Sequence, residues 1–284
     1  MLSTYGELAI AANEFSKNMQ PVPPKYLPPF PVPQRSAKLW VRYSVIVVTV
    51  TLFVLLWSHW LWPNRYSVPW VFGEAVYQVQ TSEKLVALTF DDGPDPRYTE
   101  EISQILADAG ARSTFFVLGR HAEQYKEPLN VLVRDGHELG NHTWTHPSLR
   151  LKSPQAIRNE LESTDRLLRE QGYDRPIPFR SPYGHSLFVL PQVLKQRQQA
   201  NILWTVQLND WKPEEPDVMM QLLEPKFDNG AIILLHDGDG ESEGADRSNT
   251  VEVVKLILAE YLPKGYQFVT VSELLASGTP QHYQ

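Results

Sequence analysis

The sequence contains no cysteine among its 284 residues. Disulfide bonds and thiolate metal ligands are therefore excluded, so any metal ion must be held by histidine, aspartate or glutamate. The chain also lacks a basic excess, because 33 acidic residues outnumber 26 basic ones and give a formal net charge of -7. Proteins that bind nucleic acid usually collect phosphates on a basic face, so the composition argues against nucleic acid as a partner.

Charged residues are absent from residues 43–62. Twenty helical residues rise about 30 Å, the thickness of a bilayer's hydrocarbon core, so this stretch predicts a single-pass transmembrane helix. Basic residues are concentrated before the stretch, and this bias predicts a cytoplasmic N-terminus and an extracytoplasmic C-terminal domain. We therefore expect a cytoplasmic proline-rich tail at 1–42, the transmembrane helix at 43–62, a linker leading into the domain at 63–83, and a catalytic domain at 84–284.

The catalytic domain alternates strand-like apolar runs with helical patterns, which predicts an α/β fold with a parallel sheet. One strongly helical stretch runs from Pro154 to Glu170, and Ser153 before it is a candidate N-cap. Seven strand-helix units indicate a distorted (β/α)7 barrel, with an open doubly wound sheet as the alternative. The barrel is favoured because each predicted strand ends in polar residues, and barrel enzymes carry their chemistry at that rim. These ends are Asp91-Asp92, Asn141-His142, Arg180-Ser181, Asn209-Asp210 and His236-Asp237.

Two of these clusters suggest a metal site. The adjacent carboxylates of Asp91 and Asp92 repel each other unless a cation lies nearby. His142 and His146 are four residues apart, which on a helical turn places both imidazoles on one face. One aspartate and two histidines make a three-ligand set with a coordination position left open, as in catalytic metal sites. The second aspartate is then available as a general base and His236 as a general acid.

The residues also resemble a known family. Five segments match, in order and spacing, the motifs of the polysaccharide deacetylases, carbohydrate esterase family 4, whose catalytic unit is the NodB-homology domain. They are Thr89-Phe90-Asp91-Asp92-Gly93-Pro94, His142-Thr143-Trp144-Thr145-His146, Arg180-Ser181-Pro182-Tyr183-Gly184, Asp210-Trp211 and Leu234-Leu235-His236-Asp237. The resemblance extends over roughly residues 84–275. It implies a metal-dependent hydrolase that removes N-acetyl groups from an envelope amino-sugar polysaccharide such as peptidoglycan or a chitin-like polymer.

The resemblance also implies a role for each matched position. Asp92, His142 and His146 would bind a divalent metal, most often zinc, and Asp91 would deprotonate the water on that metal. His236 would protonate the departing amine. Arg180 would position Asp91, and Asp210 would pair with His236. The backbone amide of Tyr183 would stabilise the oxyanion. Trp211 and Leu234 would form the walls of a pocket for the acetyl group.

One position departs from the family pattern, because Gln207 stands where the fourth motif usually begins with aspartate. Histidine and carboxylate ligands also accept cobalt, nickel or manganese, so the sequence leaves the metal open. Three other functions remain alternatives: an esterase for O-acetyl xylan, a deformylase or deacetylase of a lipid-linked glycan, and a non-catalytic glycan-binding protein. The expected partners are thus a polysaccharide or lipid-linked glycan and the membrane.

Overall fold

The structure is a computed structural model that describes residues 43–52, 74–240 and 244–282. Contacts divide the chain into two units, Met1–Trp60 and Leu61–Gln284. The predicted proline-rich tail at 1–42 lies outside the described residues, as does most of the predicted linker. The proposed domain boundaries therefore stay predictions.

The transmembrane helix expected at residues 43–62 requires a correction. The helix that the structure describes there covers residues 43–52, and residues 53–62 lie outside the described part. Among the described residues, no helix combines the length and the apolar character needed to cross a membrane. The predicted fold class is therefore wrong in placing such a helix before the α/β domain.

The second unit is an α/β domain, as the sequence predicts. Its described strands are β1 Ala75–Gln80, β2 Leu85–Asp91, β3 Thr114–Val117, β4 Glu138–Asn141, β5 Asn201–Ile202, β6 Val206–Gln207, β7 Ile232–His236, β8 Gln267–Phe268 and β9 Thr279–His282. Its described helices are α1 Tyr98–Asp108, α2 Gly119–Gln124, α3 Lys126–Arg134, α4 Pro154–Glu170, α5 Val189–Gln196, α6 Pro216–Leu223, α7 Ser248–Tyr261 and α8 Val271–Ala276. Two 3-10 turns lie at Pro182–Gly184 and Glu224–Lys226.

The parallel strands form a distorted ring. Five of them are hydrogen-bonded in the order β4-β3-β2-β7-β6, and β8 pairs with the start of β2. Phe179 connects β4 to β5 through single bridges to Asn141 and Asn201. β5 and β6 follow each other within residues 201–207, and β6 pairs in parallel with β7, which closes the ring. Residues 178–180 thus pair with their neighbours only through these two bridges of Phe179, and Pro178 has no amide hydrogen to donate to a ladder.

A short sheet lies beside the ring. β1 pairs in parallel with β5 and antiparallel with β9. β1 falls within the segment that the sequence assigned to the linker, and it adds Val76 and Val79 to the apolar cluster that includes Ala87 and Ile232.

Alternation along the strands decides which side chains point into the ring. On β2, Val86, Leu88 and Phe90 belong to the large core between the strands and the helices, whereas Leu85 and Ala87 belong to the inner cluster. Successive side chains of a strand point to opposite faces, so Asp91 continues the inner series. The same rule places His236 on the inner face of β7, two residues after Leu234. The pairing register sets Asp91 directly opposite His236.

The helices pack their apolar faces on the outside of the ring. α4 has the bounds predicted from the sequence, and the hydroxyl of Ser153 accepts a hydrogen bond from the amide of Ala156 at its start, which confirms the predicted N-cap. Residues 119–134 form two helices, α2 and α3. They are separated by Tyr125, whose φ of -115° and ψ of 72° are not helical.

Candidate metal and catalytic site

The candidate metal ligands converge at the end of β2 and after β4. Nε2 of His146 lies 3.3 Å from Oδ1 of Asp92, and Nε2 of His142 lies 3.5 Å from the same oxygen. All three residues are at least nine-tenths buried. Their ligand atoms lie within 4.8 Å of one another, which is close enough for one ion to contact all three.

The two histidines are not on a helical turn, contrary to the expectation from their spacing. Residues 142–147 form a loop in which Thr143 and His146 have φ values of 74° and 60°. Such left-handed backbone is costly for residues other than glycine and is retained where surrounding contacts enforce it. The side chain of Asn141 accepts from the amide of Thr143, and the hydroxyl of Thr143 accepts from the amide of His146. These bonds bring the imidazole centroids to 5.1 Å.

The donor set fits a divalent cation. Oδ1 of Asp92 is buried and accepts no hydrogen bond, which is unfavourable for a carboxylate oxygen unless a cation contacts it. Nδ1 of His142 lies 2.8 Å from the carbonyl oxygen of Arg180, so Nδ1 carries the proton and Nε2 presents its lone pair to the cluster. Burial lowers the pKa of His142 to about 3, which keeps the ring neutral and able to ligate.

Asp91 is tied to Arg180 inside the ring. Nη1 of Arg180 donates to Oδ1 of Asp91 over 2.7 Å, while Oδ2 of Asp91 lies 3.7 Å from Nε2 of His142. Arg180 is fully buried and also donates to the hydroxyl of Thr89 and to the carbonyl oxygens of Ile202 and Leu203. Burial raises the pKa of Asp91 despite the opposing charge of Arg180. One oxygen of Asp91 is therefore fixed, and the other faces the metal cluster.

His236 forms a second polar pair with Asp210. Nδ1 of His236 lies 2.9 Å from Oδ1 of Asp210, and the amide of His236 donates to Oδ2 over 2.7 Å. Burial alone would lower the pKa of His236, but the charge and hydrogen bond of Asp210 outweigh it and raise the pKa to about 9. The hydroxyl of Thr250 on α7 also donates to Asp210. His236 is therefore protonated at neutral pH.

The remaining predicted positions surround these groups. Tyr183 has a φ of 59°, and its ring centroid lies 4.7 Å from that of His146. The ring centroids of Trp211 and His236 lie 5.2 Å apart in an edge-to-face arrangement, and Trp211 is 42% exposed, whereas Leu234 is buried. Gln207 donates to the side chain of Asn209.

Some contacts of the site were not foreseen from the sequence. Thr89 and Thr250 bind the charged groups, yet a threonine in a strand or at a helix start gives no functional signal of its own. Gly240 touches His146 so closely that a Cβ atom there would lie 2.3 Å from Nδ1 of the imidazole. The guanidinium of Arg120 donates to the carbonyl oxygen of Gly240 over 2.7 Å. The loop after β7 thus closes one side of the metal cluster.

Comparison with known proteins gives a consistent result. The sequence model described as polysaccharide deacetylase matches residues 78–202. A peptidoglycan-N-acetylglucosamine deacetylase of Bacillus cereus is 33% identical over 205 residues, which cover 72% of this chain and 93% of that protein. A crystal structure of a peptidoglycan N-acetylglucosamine deacetylase has a TM-score of 0.67 at 26% identity and covers 78% and 98% of the two chains. The structure of a carbohydrate esterase family 4 pseudoenzyme from Bacillus anthracis has a TM-score of 0.65 at 28% identity. The match covers 74% of this chain and 71% of that chain.

Proposed function

Since the chain belongs to the polysaccharide deacetylase family, we propose that it removes N-acetyl groups from the N-acetylglucosamine units of peptidoglycan. One observation carries the proposal: the Asp92, His142 and His146 cluster lies at the same rim as the Asp91 carboxylate and a protonated His236. Amide hydrolysis needs a base for water, an acid for the amine and positive charge at the carbonyl oxygen. Asp91 and His236 offer the first two at this rim, and a cation held by the cluster would supply the third.

The residues that hold the cation are Asp92, His142 and His146, and we propose zinc as the ion. Imidazole nitrogen and carboxylate oxygen are ligands that suit zinc, so these three residues would hold it. Such an ion supplies positive charge that polarises an amide carbonyl and makes water easier to deprotonate.

Asp91 acts as the base in this proposal. Its Oδ1 is held by Arg180, so Oδ2 faces the cluster and accepts the proton of the attacking water. A buried carboxylate holds a proton more readily than an exposed one, which suits this role. Arg180 positions Asp91 and does not itself reach the reacting atoms.

His236 acts as the acid. The raised pKa keeps its Nε2 protonated at neutral pH, while Nδ1 is oriented by Asp210. Nε2 donates its proton to the amine nitrogen as the carbon–nitrogen bond breaks. Since Asp91 and His236 are directly opposite on adjacent strands, the base and the acid stand on two sides of one substrate amide.

The other residues bind and orient the substrate. The left-handed backbone at Tyr183 sets the direction of its amide, which donates to the oxyanion. Leu234 and Trp211 enclose the acetyl methyl group. Because peptidoglycan lies outside the cytoplasmic membrane, we propose that the domain works there, which cell fractionation with an antibody to the chain tests.

The test of function is acetate release by the zinc-loaded chain from peptidoglycan, chitin oligomers and acetylated xylan. We expect release from the first two and a loss of at least a hundredfold in His142→Ala. Equal activity of His142→Ala and the wild type contradicts the metal assignment. Release from xylan alone favours the O-acetyl esterase alternative. Glycan binding without any release favours a silent binding protein.

A further inference from the structure

One carboxylate of α4 holds the middle of the loop that carries the two candidate metal-binding histidines. The amides of Trp144 and Thr145, which lie between these histidines in sequence, both donate to Oε2 of Glu160, over 2.9 Å and 2.8 Å. The hydroxyl of Thr145 donates to Oε1 of the same carboxylate over 2.8 Å. Glu160 thus accepts three hydrogen bonds from two consecutive loop residues.

α4 also holds the start of this loop. The side-chain nitrogen of the buried Asn141 donates to the carbonyl oxygen of Leu161 over 2.8 Å and to Oδ1 of Asp165 over 2.6 Å. Both partners on α4 are acceptors, so the oxygen of the Asn141 amide is left for the backbone amide of Thr143. The loop is therefore attached to the helix on both sides of Thr143.

Core packing fixes the position of α4. Ile157 and Leu161 are fully buried in one apolar cluster, and Leu168 is fully buried in another. Residues three and four apart are neighbours on a helix surface, so Glu160 lies beside Ile157 at the edge of the buried face. A side chain on a packed helix offers a fixed position from which to orient a loop.

The loop needs such support, because Thr143 and His146 both have left-handed backbone, which is costly for these residue types. Hydrogen bonds to a carboxylate are roughly twice as strong as those between neutral groups. We propose that Glu160 is a positioning residue of the metal site. Its carboxylate holds residues 144–145 and so sets the backbone from which His142 and His146 reach the ion. The proposal rests on the metal assignment of the proposed function and not on the substrate.

The test is the zinc affinity of the full chain, measured by competition with a chromophoric chelator. Glu160→Ala removes all three contacts, and we expect it to weaken zinc binding about tenfold or more, as the loss of groups that orient metal ligands implies. Glu160→Gln keeps the length of the side chain. Its oxygen can accept from both amides while its NH2 group donates to the hydroxyl of Thr145, so it should recover most of the affinity.

Two further variants sharpen the test. Glu162→Ala is the matched control, because Glu162 is an exposed glutamate of the same helix whose carboxylate lies 3.9 Å from Arg197, and it should bind zinc like the wild type. Thr145→Val changes an exposed residue and removes one of the three bonds to Glu160. It should weaken zinc binding less than Glu160→Ala does, and adding it to Glu160→Ala should cause no further loss.

Amide hydrogen exchange, followed by NMR in the metal-free chain, gives a readout that does not depend on zinc. The amide of His146 donates to the hydroxyl of Thr143 and not to Glu160. If Glu160 orders the whole loop, this amide exchanges faster in Glu160→Ala than in Glu162→Ala.

Wild-type zinc affinity in Glu160→Ala overturns the proposal, even if the variant unfolds at a lower temperature. Zinc affinity in Glu160→Gln as weak as in Glu160→Ala also overturns it, since the charge and not the hydrogen bonding would then be the cause. If Glu160→Ala does not fold, wild-type zinc affinity in Thr145→Val overturns it. If the wild-type chain binds no zinc, the metal assignment falls, and exchange at His146 alone decides whether Glu160 positions the loop.

Discussion

Replacing Asp210 by asparagine tests how the negative charge of Asp210 affects His236. Asparagine retains the size of the side chain and an oxygen acceptor, but it removes the negative charge that opposes the burial of His236. Burial then dominates and lowers the pKa of His236 below its ordinary 6.5, instead of the value of about 9 in the native protein. The difference between 6.5 and about 9 corresponds to about 3 kcal/mol at 1.36 kcal/mol per pKa unit.

The expected effect is a shift of the alkaline limb of the pH–rate profile. A general acid must be protonated, so activity is lost as pH rises through the pKa of His236. With a pKa of about 9, nearly all of the imidazole is protonated at pH 7.5. With a pKa of 6.5 or lower, roughly a tenth is protonated, so kcat falls about tenfold at pH 7.5 and further above it. The charge of a bound cation lowers both pKa values, so the measured quantity is the difference between the two profiles.

The assay is initial-rate acetate release from a chitin oligomer by zinc-loaded protein between pH 5 and pH 10. Thr250→Val is the control, because it removes one hydrogen bond to Asp210 without changing its charge, and its alkaline limb should stay near that of the wild type. An alkaline limb of Asp210→Asn within half a pH unit of the wild type would refute the assignment of His236 as the acid.

Stability against pH gives a second measurement on the same variants. Because the pKa of His236 is raised on folding, the pair stabilises the native state fully below pH 6.5, and this contribution is lost as pH rises through about 9. In Asp210→Asn the sign reverses, because a lowered pKa means that protonation of His236 destabilises the folded state. Its thermal midpoint should therefore fall below that of the wild type most strongly on the acid side.

Three further outcomes are expected. Asp92→Asn should weaken zinc binding by about 100-fold or more in a competition titration with a chromophoric chelator, because it removes the only carboxylate of the ligand set. Gly240→Ala should also weaken zinc binding, since its Cβ atom displaces His146. Gly110→Ala meets no atom within 4 Å but is strained by a φ of +65°, so it should lower the stability and leave the zinc affinity unchanged. Arg180→Met should lower the free energy of unfolding by about 3–5 kcal/mol in urea titrations, because it leaves the buried carboxylate of Asp91 without its partner.

Sequence periodicity predicts the ends of the strands well because parallel strands bury both faces and then stop at polar residues. Leu85–Asp91 is buried along its whole length, and its period of two already determines that Asp91 shares a face with Ala87. The proximity of Asp91, Asp92 and the two histidines follows, since all lie at the carboxyl ends of parallel strands of one sheet, β2 and β4, between which only β3 lies. The expectation of a transmembrane helix had no comparable support from strand periodicity, because it rested on the uncharged composition of residues 43–62 and on the tryptophans at its end.

The local geometry of the ligands was beyond a sequence argument. The spacing of His142 and His146 fits a helix, but the loop that brings them together depends on side-chain bonds from Asn141 and Thr143 to backbone amides. Long-range contacts were also hidden: Thr250 lies 40 residues from Asp210, and Arg120 lies 120 residues from Gly240. Neither pair has a periodic pattern, so only the folded chain reveals them.

The overall fold cannot by itself separate a catalyst from a silent relative. A catalytic family member and a pseudoenzyme resemble this chain to nearly the same degree, so backbone similarity carries no information on activity. The distinction lies in buried charged groups, whose burial costs free energy that a catalytic role explains. They are Oδ1 of Asp92, which accepts no hydrogen bond, the fully buried Arg180, and His236, which Asp210 keeps protonated. A glycan-binding protein gains nothing from these charges, so in such a protein Asp210→Asn would leave oligomer affinity unchanged and have no reaction rate to alter. In a hydrolase the same substitution alters the rate with pH while oligomer binding persists, and that contrast distinguishes the two.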